Sequence, residues 1–188
     1  GLEKFATTSD GEKIANPHFL KQSLPELRRQ QRSLSRKKKG GSNRNKQRQQ
    51  VAKLHVKVRN QRKDFHYKQA LDLTRRHGLV AVEALNITGM VRNGRLSRAI
   101  SDVGWGQFLT ILEHKAGEAG AEFIAVDPSG TSQACSACGA IVKKDLSVRV
   151  HKCSCGLVMD RDQNAALNIL ARAKQGGTRP VGVKLGVA

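Results

Sequence analysis

Aromatic residues are scarce in this chain, 4% of its 188 residues. The core must therefore be aliphatic, and no surface can offer nucleic acid a long row of stacking rings. Acids are scarce too, 15 Asp and Glu against 34 Lys and Arg, which leaves a formal net charge of +19. Self-repulsion on that scale disfavours a compact state unless a polyanion neutralises it, so a nucleic acid is the expected partner, bound through its phosphates. The rival polyanion, an acidic membrane surface, finds no anchor: no stretch approaches the roughly 20 apolar residues of a membrane span, and no lipidation signal is visible. An apolar signal segment is also lacking, which argues against an oxidising compartment. Methionine does not open the chain; Gly1 does, and a fragment is expected.

Cysteine is confined to four positions in two close pairs, Cys135-Ser-Ala-Cys138 and Cys153-Ser-Cys155, with 14 residues between the pairs. Four thiolates so spaced suit one tetrahedral zinc ion, and a site with four protein ligands is structural because no position is left for substrate. Gly139 and Gly156 follow the two pairs and can take the positive φ that turns backbone amides toward sulfur. The second pair has only one intervening residue, so either its turn is tighter or His151 replaces a cysteine. Two disulfides or buried free thiols are the bland alternatives.

Along the chain, Phe5–Ser9 and Lys13–Ala15 flank Asp10-Gly11 and predict a hairpin, too small to stand alone and so the edge of a larger sheet. Leu20, Leu24, Leu27 and Leu34 repeat with helical spacing, Pro25 being tolerable only if the helix begins near it. After Gly40-Gly41, with Ser42 or Asn43 as cap, Val51, Leu54, Val58 and Phe65 predict a second helix antiparallel to the first and ending at His77-Gly78. Leu79–Val82 reads as a buried central strand ending in Glu83, Ser101 to about Gly117 as a helix, and Ala121–Val126 as another strand. Strand, helix, strand is the grammar of wound α/β folds, whose ligands gather at strand C-termini. Asp160 to about Lys174 predicts a last helix, and the glycine-rich residues from Gln175 to Ala188 a disordered tail.

Between Lys21 and Lys63 lie sixteen lysines and arginines against one acid, Glu26, so the helical pair carries +15 of the +19. Arg28, Arg29, Arg32, Arg36, Lys37, Lys38, Lys39, Arg44, Lys46, Arg48, Lys53 and Lys57 are the candidate nucleic-acid contacts. Solvated helix faces usually mix their charges, which sets this density apart from a merely soluble face. Glu83 at a strand end and Asp160 or Asp162 on a first helical turn could converge on Mg²⁺, the hard cation that phosphodiester hydrolysis uses in pairs about 3.5–4 Å apart. Helix capping by Asp160 and a dipole role for Asp162 are the alternatives.

The ordered motifs are more specific than their spacing. Val82-Glu83-Ala84-Leu85-Asn86-Ile87, Leu96 through Gly106, Thr131 through Gly139 and Asp160 through Ile169 closely resemble the TnpB (OrfB) family of bacterial and archaeal insertion-sequence proteins. The resemblance covers nearly the whole chain except the tail. It implies an α/β, RNase H-like (RuvC) mixed sheet over residues 1–127 and 158–174, with a basic helical hairpin inserted at about 20–77 and a zinc ribbon inserted at 128–157. The implied activity is that of a transposon-associated, RNA-guided DNA endonuclease related to type V CRISPR effectors, with guide RNA and DNA as partners. The implied location is the prokaryotic cytoplasm, at the nucleoid. Three acids hold two Mg²⁺ ions in that family; Glu83 matches the second and Asp162 the third, with Asp160 a neighbouring group. The first acid lies two residues before the glycine that aligns with Gly1, and Asp10, in the hairpin turn, is expected to lie too far away to replace it. These residues alone are therefore expected to be nearly inactive. The remaining readings are a non-catalytic nucleic-acid-binding zinc-ribbon protein and a ribosome-associated basic protein.

Overall fold

The structure is a computed structural model that describes residues 2–145 and 147–176; beyond Gly176, the tail expected from Gln175 to Ala188 lies outside the described residues. Strands β1 (Lys4–Thr7) and β2 (Lys13–Ala15) form the expected antiparallel hairpin, with a bulge between Lys4 and Ala6. Gly11 turns the chain at φ +85°, where a Cβ would also come within 2.8 Å of the Gln163 side chain. Two constraints thus require glycine there.

Helices α1 (Phe19–Ser35) and α2 (Ser42–Arg76) lie against each other through the predicted stripes, with Leu27 and Val58 buried. A polar seam runs beside them: Gln47 donates to Gln30, Ser33 donates to Gln47 at 3.2 Å, and Arg44 closes the turn by donating to the carbonyls of Leu34 and Lys37 at 2.8 and 3.3 Å. Pro25 sits inside α1, not at its start, because the first turn is anchored from elsewhere. His18 precedes α1 in a left-handed conformation and offers no side-chain cap; Asp102, buried, accepts instead from the amides of Leu20 and Lys21 at 2.9 and 3.2 Å. Ser42 likewise lies within α2, whose N-cap is Gly41.

Strand β3 (Leu79–Glu83) leads through α3 (Ile87–Val91), α4 (Ser97–Val103) and α5 (Trp105–Ala119) to β4 (Glu122–Val126), which pairs with β3 in parallel, Leu79 opposite Glu122 and Glu83 opposite Val126. The single helix expected from Ser101 to Gly117 is broken at Gly104, where Arg62 and His66 of α2 approach so closely that a Cβ would meet them at 3.0 and 3.2 Å. Four of the five phenylalanines gather at this crossing. Phe5 packs edge-on against Phe65 and Phe108 at 4.9 and 4.8 Å, and Phe19 reaches Phe65. Trp105 donates its indole N–H to the Phe5 carbonyl at 3.1 Å. These rings are thus spent on the core.

The described strands form three two-stranded sheets, β1–β2, β3–β4 and, in the cysteine region, β5 (Val150–Lys152) with β6 (Val158–Asp160). This corrects two expectations: the first hairpin is not the hydrogen-bonded edge of a larger sheet, and β3 is half-buried beside one neighbour instead of central. The reason is a cavity of about 560 Å³ whose lining includes residues of both β1 and β3, with α5 and the last helix, α6 (Arg161–Lys174), also lining it. The overall mixed α/β class stands. A second core, Val126 with Ile169 and Ala173, holds α6 against the β3–β4 pair.

Asp102 supplies α1 with a cap that its own sequence lacks. Asp102→Ala is expected to cost about 1–2 kcal/mol of stability, read as a lowered urea midpoint with an unchanged slope; an unchanged midpoint would show that the two amides are satisfied otherwise.

Candidate functional site

The last helix is fastened both to the first hairpin and to the loop that carries the first cysteine pair. Asp160 caps it, accepting from the amides of Asp162 and Gln163 at 2.8 and 3.2 Å, and also accepts from the Lys13 ammonium at 2.6 Å. Burial alone would push the Asp160 carboxyl up, but Lys13 and the two amides hold it below its ordinary value. Asp160 is thus occupied as a cap and an ion-pair partner. One turn further along the inner face, Asn164 is fully buried; its amide donates to the Ala134 carbonyl at 2.7 Å and its oxygen accepts from the Ser136 amide at 3.0 Å. Asn168 donates to the carbonyls of Thr131 and Ala134, and Arg172 to that of Asp127. These three, spaced by four residues, fasten the loop after β4 to α6.

That loop delivers Cys135 and Cys138, and the β5–β6 hairpin delivers Cys153 and Cys155. The four ligand atoms lie within 4.8 Å of one another. Cys135 Sγ lies 3.7 Å from Cys155 Sγ, and Cys138 Sγ 3.6 Å from Cys153 Sγ. A tetrahedral zinc site with bonds of about 2.3 Å has sulfur–sulfur edges near 3.8 Å, whereas a disulfide needs about 2.05 Å. The sulfurs therefore fit one ion, and the cysteines are not cross-linked. Gly139 and Gly156 take φ +77° and +93°, and their amides donate to the carbonyls of Cys135 and Cys153. The Cys153 thiol is drawn down to about 6, first by the Cys155 amide, while Cys138, against the pull of the Ala140 amide, is pushed up to about 12 by the neighbouring sulfurs. His151 is not among the gathered ligands.

Glu83 and Asp162, expected to converge, are brought to one cavity. Both line the cavity between β1 and β3. Burial pushes the Glu83 carboxyl up, the negative charge of Asp162 adds to that, and the Thr131 hydroxyl alongside pulls the other way. Asp162 lies 3.4 Å from the Arg161 guanidinium. Asp10, expected to be remote, lines the same cavity, because Gln163 donates to the Ser9 carbonyl at 3.4 Å and holds the hairpin turn over the start of α6. Like charges meeting in a partly dry hollow are what a divalent cation relieves.

Of the basic candidates, Arg28, Arg29, Arg32, Arg36, Lys38, Lys39, Lys46, Arg48, Lys53 and Lys57 are exposed, and Lys37 is half-buried. Arg28, Arg32 and Arg36 recur every four residues beside a shallow groove on α1. Among the described residues Arg29 alone of the twelve forms an ion pair, with Glu26 at 2.6 Å. Arg44 departs from expectation: it faces inward to the two carbonyls that end α1. Thr131, Asn164 and Asn168 were not anticipated as site residues; the four-residue spacing of Asn164, Asn168 and Arg172 was the available signal.

Two family models match this chain, one described as "Probable transposase" over residues 1–94 and one as "Cas12f1-like, TNB domain" over residues 105–169. A "Putative RNA-guided DNA endonuclease" of Streptomyces pristinaespiralis is 41% identical over 91% of this chain and 43% of its own length. The similarly named InsQ of Escherichia coli K12 is 33% identical over 91% of this chain and 47% of its own. The chain thus spans about half the length of the curated relatives it matches. Among solved structures, a CRISPR–Cas12f ternary complex superimposes with a TM-score of 0.64 at 26% identity, covering 84% of this chain and 34% of that one. A Cas12f1–sgRNA–target DNA complex gives 0.57 at 22%, covering 84% and 43%.

Glu83 binds its proton more tightly folded than unfolded, so it contributes stability as pH falls through the carboxylate range and subtracts from it above. Glu83→Gln is expected to raise the melting temperature at neutral pH, with the gain shrinking toward about pH 4; a gain independent of pH would show that the carboxyl is not strained.

Proposed function

Since the chain belongs to the TnpB (OrfB) family of insertion-sequence proteins, we propose that it forms the nuclease region of an RNA-guided DNA endonuclease, with Glu83 and Asp162 holding catalytic Mg²⁺. The observation that carries this reading is the shared hollow: a strand-end glutamate and a first-turn aspartate from segments 79 residues apart line one cavity beside a thiolate clasp. Mg²⁺, when bound, would lower the pKa of water and neutralise charge developing on a phosphodiester. Glu83, lifted by burial, and Asp162, tethered near Arg161, would present hard oxygen ligands to it. Asp160 keeps the first turn of α6 in register by capping it, and Lys13 ties that turn to the hairpin. The four cysteines would close around zinc and serve folding only.

The same reading treats β1–β2 and β3–β4 as two parts of one RNase H-like sheet. An extended segment, apolar on both faces, laid between β1 and β3 would fill the cavity and join them. Residues 20–77 then form a basic arm, inserted between the two parts, that grips the phosphates of guide RNA and DNA. Residues 128–157 are the ribbon.

The test is cleavage of guide-matched DNA in Mg²⁺ by a protein of the relatives' full length carrying these residues. Glu83→Ala and Asp162→Ala should each slow it more than about a thousandfold with DNA binding retained; a variant cutting at the parental rate would remove that residue from the site. For the arm, a plot of log affinity against log salt should be steep, and replacing Arg28, Arg32 and Arg36 by alanine should flatten it by about 0.9 for each phosphate no longer neutralised. A slope unchanged by the triple substitution would place the phosphate-binding residues elsewhere.

A further inference from the structure

His151 lies at the middle of β5, opposite Met159, with no exposed surface. The Lys144 ammonium contacts its Nδ1. An ammonium has only protons to give, so Nδ1 must accept, and the neutral ring then carries its own proton on Nε2. Nε2 is buried and makes no hydrogen bond to a nitrogen or oxygen among the described residues, a costly position for a donor. Nearby is the Cys135 sulfur, with which the imidazole interacts. Cys135 is also the most enclosed of the four cysteines, 1% exposed, while Cys138 and Cys155 are open to water.

Four thiolates around one Zn²⁺ leave two negative charges on the site. At Cys138 and Cys155 water can solvate that charge. At Cys135 it cannot, and the amides of Cys138 and Ala137 are the backbone donors there. We propose that His151 is a positioning residue of the zinc site and not a ligand: its Nε2–H donates to the Cys135 thiolate, and Lys144, on the opposite side of the ring, fixes the tautomer that makes this possible. The inference rests on the four-cysteine reading of the clasp. The sulfurs already complete a tetrahedron, so a nitrogen is not needed to finish it, and the buried donor is explained by the charge it faces. The short Cys153-Ser154-Cys155 turn then needs no substitute ligand, only a donor where the site turns away from water.

The experiment uses the whole chain loaded with zinc or cobalt. His151→Phe keeps the ring volume and removes the N–H, while His151→Gln restores a donor in a different shape. Competition with a chromophoric chelator should show His151→Phe weakening zinc binding about 10–100-fold and His151→Gln recovering much of the deficit. The Co²⁺ absorption spectrum should stay that of a four-sulfur site in every variant. An affinity unchanged in His151→Phe, or a parental spectrum with nitrogen ligation that the variant loses, would overturn the proposal. Nitrogen-15 NMR of the unsubstituted, zinc-loaded protein gives a readout that does not depend on any variant folding. Nε2 protonated and Nδ1 bare is the expected tautomer, and the reverse would overturn it. A parent chain that takes up no zinc would overturn the clasp itself, and this inference with it.

Discussion

Asn164 holds the two halves of the chemistry together. It is a fully buried amide whose oxygen and nitrogen are both committed to the Ala134–Ser136 backbone, so it cannot loosen without leaving three polar groups dry. Through that contact the knuckle bearing Cys135 and Cys138 is fixed to the same helix whose first turn points Asp162 into the cavity. The preceding residue, Gln163, braces the hairpin turn, and the following turn carries Asn168 to the loop below. The four-cysteine cluster is therefore tied to the position of a distant carboxylate, because both hang from three consecutive turns of α6.

Charge is divided between regions in the same economical way. The helical pair carries a one-signed surface with Arg29–Glu26 as the ion pair of its twelve candidate contacts, whereas the hollow gathers carboxylates whose mutual repulsion is only partly offset by Arg161 and Lys13. Each region is unfavourable in isolation, and each is of the sign that an opposite partner, phosphates for one and divalent cations for the other, would stabilise. Lower stability of the free protein is the usual cost of such a surface.

Much of this was legible from residue order. The cysteine spacing, the hairpin at Asp10-Gly11, the strand ending in Glu83 and the helix beginning near Asp160 all rest on local rules, and all are present. What escaped is non-local. Asp102 caps a helix 82 residues earlier, and nothing near His18 or Asp102 signals it. Pro25 marks a helix start by its own preference, yet the remote cap overrules that preference. Ser101 to Gly117 has unbroken helical periodicity, and only the close approach of Arg62 and His66 shows why Gly104 must interrupt it. The joining of the two principal sheets was expected from strand patterns, which cannot reveal a cavity between strand edges. Asp10 was judged by its place in a turn, while its neighbourhood is decided by Gln163, more than 150 residues away.

Helix α2 runs for 35 residues, about 52 Å at 1.5 Å per residue. Its distal half has α1 as its companion, whereas the proximal half is seated among α5 and the aromatic cluster. A rod of that length equals roughly fifteen base-pair rises of a duplex at 3.4 Å each, and it is rooted at the crossing where Phe5 and Trp105 meet. The molecule thereby holds Lys46, near the free end of the rod, at a fixed remove from the aromatic crossing in which its other end is rooted.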